Sequence, residues 1–185
     1  MWQLDGFEFT LFDTDRTVIT VYQLIDDSTR FDVGSDAAAD PENSTDAIRV
    51  VAAAIDQYGV PQEFLTDNGT AFNLSRRGMI ADLEIFLCGK GCWPISGRAG
   101  KPTTQGKDER SHQTLRKVLT AHAPTTVAQA RDVIARYRQR YNHARHHQGL
   151  PGNMTPAQAW DAAEHQPSDG TAIPIERLAL RAASY

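Results

Sequence analysis

Residues 2–12 read Trp2-Gln3-Leu4-Asp5-Gly6-Phe7-Glu8-Phe9-Thr10-Leu11-Phe12, and this stretch decides the fold. Its apolar and aromatic residues predict a β-strand, and residues 17–25 form a second run of the same kind. The turn-forming residues 13–16 separate the two runs, which predicts a β-hairpin. Asp5 shares one face of the first strand with apolar residues at every second position. A carboxylate on such a face is costly unless it is paired or holds a metal.

The segments that follow the hairpin predict a mixed sheet. A turn precedes a short third strand at residues 31–33, and a polar loop follows that strand. Ser44 or Thr45 can cap a helix that ends at Gly59, and residues 63–66 predict a fourth strand. Three strands, a helix and a strand in this order imply a meander followed by a crossover. The predicted class is therefore α/β with a mixed sheet.

The second half of the chain is predicted to be mainly helical. A helix is expected from about Met79 to Leu87, and residues 92–95 can form a short edge strand. Further helices are predicted at about residues 107–122, from Thr125 or Thr126 to about Tyr141, and after Thr155-Pro156. We assign residues 1–165 to one domain and residues 166–185 to a weakly patterned C-terminal tail.

Length and composition are typical of one globular domain. The chain has 185 residues, of which 41% are hydrophobic and 23% charged. No apolar run of about 18 residues is present and no secretory signal opens the chain, so no membrane association is expected. Because the first residues already form a predicted core strand, we expect a domain cut from a longer protein. Cys88 and Cys92 predict buried, reduced thiols in a cytoplasmic protein, and a single disulfide or half of an intermolecular metal site is the alternative.

Charge is distributed unevenly along the chain. Residues 1–56 hold 12 acidic and 3 basic residues, whereas residues 57–185 hold 11 acidic and 16 basic residues. The positive charge gathers between Arg98 and Lys117, and again between Arg131 and Arg145. A local basic stripe decides phosphate binding more than the net charge of −4 does. Each stretch alone is typical of a solvated helix face, but beside a cluster of carboxylates we interpret them as contacts to nucleic acid.

Three acidic residues lie in segments that can form a metal cage. Asp5 lies in a strand, Asp67 follows a strand within Thr66-Asp67-Asn68-Gly69, and Glu109 lies in the first turn of the helix predicted from about Lys107. Each alone has an ordinary explanation: a paired or edge-exposed Asp, a turn residue, and a carboxylate favoured by the helix dipole. Together they supply the oxygen ligands that Mg²⁺ prefers. Such a cage is suited to cutting and joining phosphodiesters.

Spaced motifs around these acids resemble the catalytic core of retroviral-type integrases and bacterial insertion-sequence transposases, the D,D,E group. The resemblance covers about residues 2–161 and is closest to the insertion-sequence branch. It implies an RNase H-like fold with a five-stranded mixed sheet flanked by helices. The motifs are Trp2-x-x-Asp5-Gly6, Asp26-Asp27-Ser28-Thr29-Arg30, Thr66-Asp67-Asn68-Gly69-x-x-Phe72, Gln105-Gly106-Lys107-x-Glu109-Arg110-x-His112-x-Thr114-Leu115, Tyr141-Asn142, His147-x-Gly149-Leu150 and Thr155-Pro156-x-x-Ala159-Trp160.

The resemblance also implies the roles of individual residues. Asp5, Asp67 and Glu109 would be the catalytic metal ligands, with Mg²⁺ as cofactor and Mn²⁺ as a substitute. Contacts to DNA would come from Lys107, Arg110, His112, Gln113 and Arg116. His143, His146 and His147 do not form a metal cluster in this interpretation; they predict a structural turn on the last helices or a phosphate contact.

The implied activity is that of a DNA transposase or integrase catalytic domain. It would cleave at element ends and transfer the 3′-hydroxyl into target DNA, as a cytoplasmic, nucleoid-associated homodimer or higher multimer. Transposon-end DNA and target DNA would be its partners. Two alternatives remain open from the sequence: an RNase H-like nuclease that only hydrolyses, and an inactive remnant that binds DNA or mediates oligomerisation.

Overall fold

The computed structural model describes residues 1–66, 81–96 and 102–178, apart from the side chains of residues 96 and 102–111. The strands are β1 (Trp2–Thr10), β2 (Val18–Asp26), β3 (Asp32–Ala38), β4 (Glu63–Thr66) and β5 (Trp93–Ser96). The helices are α1 (Ser44–Tyr58), α2 (Asp82–Gly89), α3 (Pro102–His122), α4 (Val127–Ala144) and α5 (Pro156–Ala162). In the ranges described, no helix combines the length and apolarity needed to cross a bilayer.

The five strands form one mixed sheet in the order β3-β2-β1-β4-β5. β1 pairs antiparallel with β2, and β2 pairs antiparallel with β3. On its other side β1 is parallel to β4, which is parallel to β5. The hairpin, the meander and the crossover through α1 are therefore confirmed, and β1 is the central strand.

Two hydrophobic cores lie on opposite faces of the sheet. In the first core, Leu4 and Leu24 of the sheet pack with residues of α1 and α2. In the second core, Phe9 and Val21 pack with residues of α3 and α4. Because neighbouring residues of a strand point to opposite faces, Asp5 lies on the face that α3 and α4 cover.

Helix α1 is capped by Asn43 and not by the predicted Ser44 or Thr45. The Asn43 side chain accepts a hydrogen bond from the amide of Asp46 at 2.9 Å. The backbone amide of Asn43 donates to the Tyr22 hydroxyl at 3.0 Å, and this contact sets where the helix begins. β3 likewise runs to Ala38, past the predicted residues 31–33, because β2 pairs with it as far as that residue.

Helix α3 begins at Pro102, earlier than the predicted start near Lys107. Proline suits the first turn of a helix because its fixed φ is helical and its missing N–H would have no partner there. Glu109 therefore lies in the helix interior, and its predicted place in the first turn is wrong. The spacing of Leu115, Val118, Leu119 and His122 predicts one apolar face of this helix. Leu115 and Leu119 are buried there as predicted, whereas His122 is exposed.

Helices α4 and α5 begin at the predicted caps. The Thr126 hydroxyl accepts a hydrogen bond from the Gln129 amide at 3.2 Å, and Thr155 caps α5 within a capping box. Trp160 of α5 stacks on Phe31 with ring centroids 4.9 Å apart, and this contact anchors the helix.

The chain after α5 packs on the end of the sheet where β4 and β5 begin. The Ser168 amide donates to the Val60 carbonyl at 2.8 Å, and the Ser168 hydroxyl donates to the Gly91 carbonyl at 2.7 Å. The Ile173 amide donates to the Cys88 carbonyl at 2.9 Å. Gly91 has φ +78°, and a Cβ there would lie 2.7 Å from the Thr171 carbonyl oxygen. The close approach of this segment therefore requires glycine.

Helix α2 carries one of the two buried cysteines. The helix begins at Asp82, later than predicted, because Ala81 is in an extended conformation. Cys88 and Cys92 are both buried and both free, as the composition predicted. Burial raises the pKa of the Cys92 thiol to about 12, which makes it a poor nucleophile at neutral pH.

Candidate active site

The candidate site is built around Asp5 at the middle of the central strand. Its side chain is 25% exposed, and Oδ1 accepts a hydrogen bond from the amide of Gly6 at 2.8 Å. On the neighbouring strand, Thr66 pairs with Leu4, so the residues just before Asp67 and Asp5 lie side by side. Asp67 itself lies outside the described residues. The described part of the sheet thus brings the carboxyl end of β4 to the level of Asp5.

Helix α3 crosses the sheet above Asp5. The His112 Nε2 atom lies 3.5 Å from Asp5 Oδ2, and the His112 ring lies 5.1 Å from the Phe7 ring. One turn later, the Arg116 guanidinium lies 4.6 Å from the centre of the Phe7 ring. Phe7 and Asp5 share one face of β1, so these contacts hold α3 against the strand that carries the carboxylate.

The predicted site residues are described to different extents. Glu109, Lys107 and Arg110 lie in α3, but their side chains are not among those described. Glu109 precedes His112 by three residues in this helix, which places the two on neighbouring positions of one helix surface. Gln113 and Arg116 are exposed, as a role in contacting a ligand requires. Among the described side chains, no group of three His, Cys, Asp or Glu residues could hold a metal, and Asp5 is the one predicted ligand in that set.

One polar residue beside Asp5 was missed from the sequence. Gln23 of β2 is the register partner of Asp5, and it is only 2% exposed. In the sequence, Gln23 interrupts the otherwise apolar run Val21-Tyr22-Gln23-Leu24-Ile25, and this interruption was the available signal. Only the strand register shows that this residue lies next to the predicted metal ligand.

The motif Asp26-Asp27-Ser28-Thr29-Arg30 builds the turn between β2 and β3. The Asp26 carboxylate accepts hydrogen bonds from the Ser28 hydroxyl at 2.6 Å and from the Thr29 amide at 2.9 Å. Arg30 has φ +61° and pairs with Asp27 at 2.9 Å. Aspartate and serine side chains stabilise tight turns in this way, so the motif supports the hairpin and not the chemistry.

The basic stretch between Arg131 and Arg145 is partly occupied by internal ion pairs. Arg131 pairs with Asp36 at 3.2 Å and donates to the Ala37 carbonyl, and Arg138 pairs with Asp32 at 3.0 Å. Two of the five arginines in this stretch therefore fasten α4 to β3. Arg136 and Arg140 remain exposed on the outer side of α4.

The histidines after α4 form a turn. The backbone amide of His147 donates to the Met154 carbonyl at 3.0 Å, and His146 Nδ1 lies 2.7 Å from the Asn153 carbonyl. The amide of Gly149 donates to His147 Nδ1 at 3.2 Å. These contacts confirm the predicted structural turn.

Comparison with known proteins agrees with this arrangement. Residues 90–156 match the family described as Integrase core domain. A curated relative from Xanthomonas euvesicatoria, "Insertion element IS476 uncharacterized 39.2 kDa protein", is 34% identical over 159 residues. That alignment covers 85% of this chain but 43% of the relative, so the chain spans less than half of the relative's length.

Solved structures with the same fold are retroviral integrase cores. The HTLV-2 integrase catalytic core domain in complex with magnesium matches with a TM-score of 0.60 at 16% identity, covering 85% of this chain and 93% of that one. A chain from the simian T-cell lymphotropic virus intasome in complex with PP2A regulatory subunit B56 gamma matches with a TM-score of 0.64 at 19% identity, covering 90% of this chain and 56% of that one. The catalytic core of BIV integrase matches with a TM-score of 0.53 at 22% identity, covering 85% and 90%.

The mixed sheet and its flanking helices have the RNase H-like fold of these integrase catalytic cores. The match to the Integrase core domain and the 34% identity to the insertion-element protein support an integrase-like transposase core. The resemblance drawn from the spaced motifs is confirmed at this level.

Proposed function

We propose that this chain catalyses metal-dependent cleavage at the ends of a mobile element and transfer of the freed 3′-hydroxyl into target DNA. The observation that carries the proposal is the position of Asp5. It lies on the central strand, beside the end of the strand that leads to Asp67 and 3.5 Å from a side chain of the helix that holds Glu109. A carboxylate placed between a strand end and a helix can share a cation with ligands from both.

Asp5, Asp67 and Glu109 would hold Mg²⁺, or Mn²⁺ in its place. The described part of the site fits a hard cation, because Asp5 is partly exposed and its carboxylate oxygens are ligands that Mg²⁺ prefers. The buried side-chain amide of Gln23 lies beside Asp5 in the sheet. Bound Mg²⁺ would supply activation of the attacking oxygen and stabilisation of the leaving one. The magnesium complex of HTLV-2 integrase supports this choice of ion by analogy.

Both steps of the proposed reaction are displacements at a phosphorus atom of DNA. Water first attacks a phosphorus at the element end, a new P–O bond forms, and the bond to the 3′-oxygen breaks to leave a 3′-hydroxyl. That 3′-oxygen then attacks a phosphorus in target DNA, and the 3′-oxygen of the target leaves. One ester is exchanged for another, so the second step needs no external energy source. The protein's part is to orient two DNA segments and to exclude water during the second step.

Lys107, Arg110, His112, Gln113 and Arg116 would contact DNA along the exposed surface of α3. The proposal extends to element-end DNA and target DNA as partners, and to assembly as a dimer or higher multimer. His112 would have a second role, because its imidazole lies beside Asp5 and can keep that carboxylate turned toward the metal site. Helix α3 would thus join the phosphate contacts to the ligand cluster.

Arg116→Gln tests the phosphate contact. We expect binding to element DNA to weaken by a similar factor for every sequence, and the slope of log affinity against log salt to fall by about one. Fluorescence anisotropy over a salt series measures both quantities. Lys117→Gln is the matched control, because Lys117 is exposed on the same helix but points about 100° away. Equal effects of the two substitutions would contradict a specific contact from Arg116.

A joining assay separates the proposed activity from simple hydrolysis. The chain is incubated with Mg²⁺, a labelled element end that already carries a free 3′-hydroxyl, and unlabelled plasmid. Transfer of the label to the plasmid supports the proposal, whereas nicked plasmid without joined label supports a nuclease that only hydrolyses. Neither product, together with intact DNA binding, would support an inactive remnant and overturn the proposal.

A further inference from the structure

Gln23 has no assigned role, yet it is buried beside the candidate metal ligand. It lies on β2 between Asp5 on β1 and Ser35 on β3 in the register of the sheet. Its side-chain oxygen and nitrogen are both buried, and neither has a hydrogen-bond partner among the described residues. Thr20 and Ser35 are also buried in the sheet, but their hydroxyls donate to the Asp40 carbonyl and to the Asp32 carboxylate.

An unpaired amide in this position works against stability. Leaving a buried polar group without a partner destabilises the folded state, and an apolar side chain of similar shape would avoid that cost. The neighbours of Gln23 along β2 are apolar, so leucine would suit the strand. A destabilising unpaired polar group beside a functional residue is characteristic of a binding site in which the bound state supplies the missing hydrogen-bond partner.

The sheet geometry limits which partner Gln23 can have. Residues directly opposite each other on antiparallel strands point to the same face, with Cβ atoms about 4.5–5.5 Å apart. The Gln23 side chain therefore lies within reach of the Asp5 carboxylate. His112 approaches that carboxylate from α3, whereas Gln23 approaches it from the sheet. An amide is neutral, so it can orient a carboxylate without competing with the cation for its charge.

We propose that Gln23 is a positioning residue for Asp5, and that its Nε2 donates a hydrogen bond to the Asp5 carboxylate when the metal site is filled. The inference rests on the proposed function. One carboxylate oxygen then faces the cation while the other is held from the side of the sheet. Outer partners of this kind fix the orientation of a metal ligand, and their loss reduces metal affinity or activity by about 10- to 100-fold.

The test pairs Gln23→Leu with Thr20→Val. For Gln23→Leu we expect a melting temperature of the metal-free chain equal to or above that of the wild type. We expect joining activity to fall by about 10- to 100-fold and the Mg²⁺ concentration for half-maximal activity to rise. Thr20 points to the face of the sheet opposite Gln23, and its buried hydroxyl donates to the Asp40 carbonyl. Thr20→Val removes this paired hydroxyl, so it should lower the melting temperature and leave the Mg²⁺ dependence unchanged.

Each outcome has one meaning. Wild-type activity and Mg²⁺ dependence in Gln23→Leu would overturn the positioning role while leaving the proposed function intact. A large loss of stability in Gln23→Leu would also overturn it, because the amide would then have a structural partner. A wild-type chain without metal-dependent joining would remove the proposed function and this inference with it.

Discussion

Asp5→Asn should abolish Mg²⁺-dependent joining while the chain stays folded. The substitution keeps the shape of the side chain and removes the negative charge that a divalent cation requires. We expect a loss larger than the roughly 10- to 100-fold that follows from mutating an outer partner of a metal ligand. The joining assay measures the activity, and thermal unfolding without metal measures the fold. Asp67→Asn and Glu109→Gln should behave in the same way.

Glu8→Gln is the matched control for this prediction. Glu8 lies on the same strand, is exposed, and faces the side of the sheet opposite Asp5. The substitution removes one negative charge from β1 but none from the candidate site, so joining should continue at the wild-type rate. Wild-type activity in Asp5→Asn would show that the site is wrongly assigned. A similar loss in both variants would point instead to the total charge of the strand.

Local signals made most of the sheet predictable. The apolar runs at residues 2–12 and 17–25 are each long enough for a full strand, and the short polar segment between them predicts a hairpin. Gly59 ends α1 with φ +83°, a conformation that other residues rarely adopt, so the helix end was visible in the sequence. Asp5 was noticeable as a carboxylate on an apolar strand face, but it was the resemblance carried by Trp2-x-x-Asp5-Gly6 that selected it as a predicted ligand.

Contacts between distant parts of the chain were not predictable from local patterns. Gln23 is visible in the sequence as a polar residue in an apolar run, but its place beside Asp5 depends on the register between two strands. Helix α3 starts at Pro102 because proline can open a helix, whereas the glycines around it suggested a loop. Arg138 was assigned to a basic stripe, although its partner Asp32 lies 106 positions away.

Burial of the Asp32 carboxylate carries an electrostatic cost. Its side chain is 0% exposed, and burial raises its pKa even though Arg138 and Ser35 act in the opposite direction. Arg138 lies 3.0 Å from one carboxylate oxygen, and the Ser35 hydroxyl donates to the other at 2.7 Å. The Asn142 side chain pairs with both the N–H and the C=O of Asp32, in the way a neighbouring strand would. Helix α4 thus pairs with the backbone at the outer edge of β3 and also supplies the cation that pairs with the Asp32 carboxylate.

Arg138→Met should therefore destabilise the fold strongly. Removing one partner of a buried ion pair typically costs about 3–5 kcal/mol, and we expect the lower end because Arg138 is itself 26% exposed. For a chain of this size, that corresponds to a melting temperature lower by roughly 6–12 °C. Arg140→Met is the matched control, since Arg140 is exposed on the same helix and should change stability by less than about 0.5 kcal/mol.

The pH dependence of the Arg138→Met deficit separates a charge effect from a packing effect. A carboxyl group whose pKa is raised by folding favours the folded state below its unfolded pKa, and that contribution is lost as pH rises through the folded pKa. Without Arg138 the pKa of Asp32 in the folded state rises further. The free energy of unfolding therefore falls over a wider range of pH in the variant than in the wild type. The deficit should therefore be smallest in acid, below the unfolded pKa of Asp32, and should grow as pH rises through its folded pKa. Denaturant unfolding at several pH values measures it, and a deficit that is constant with pH would mean that Arg138 stabilises α4 through its aliphatic stem instead of its charge.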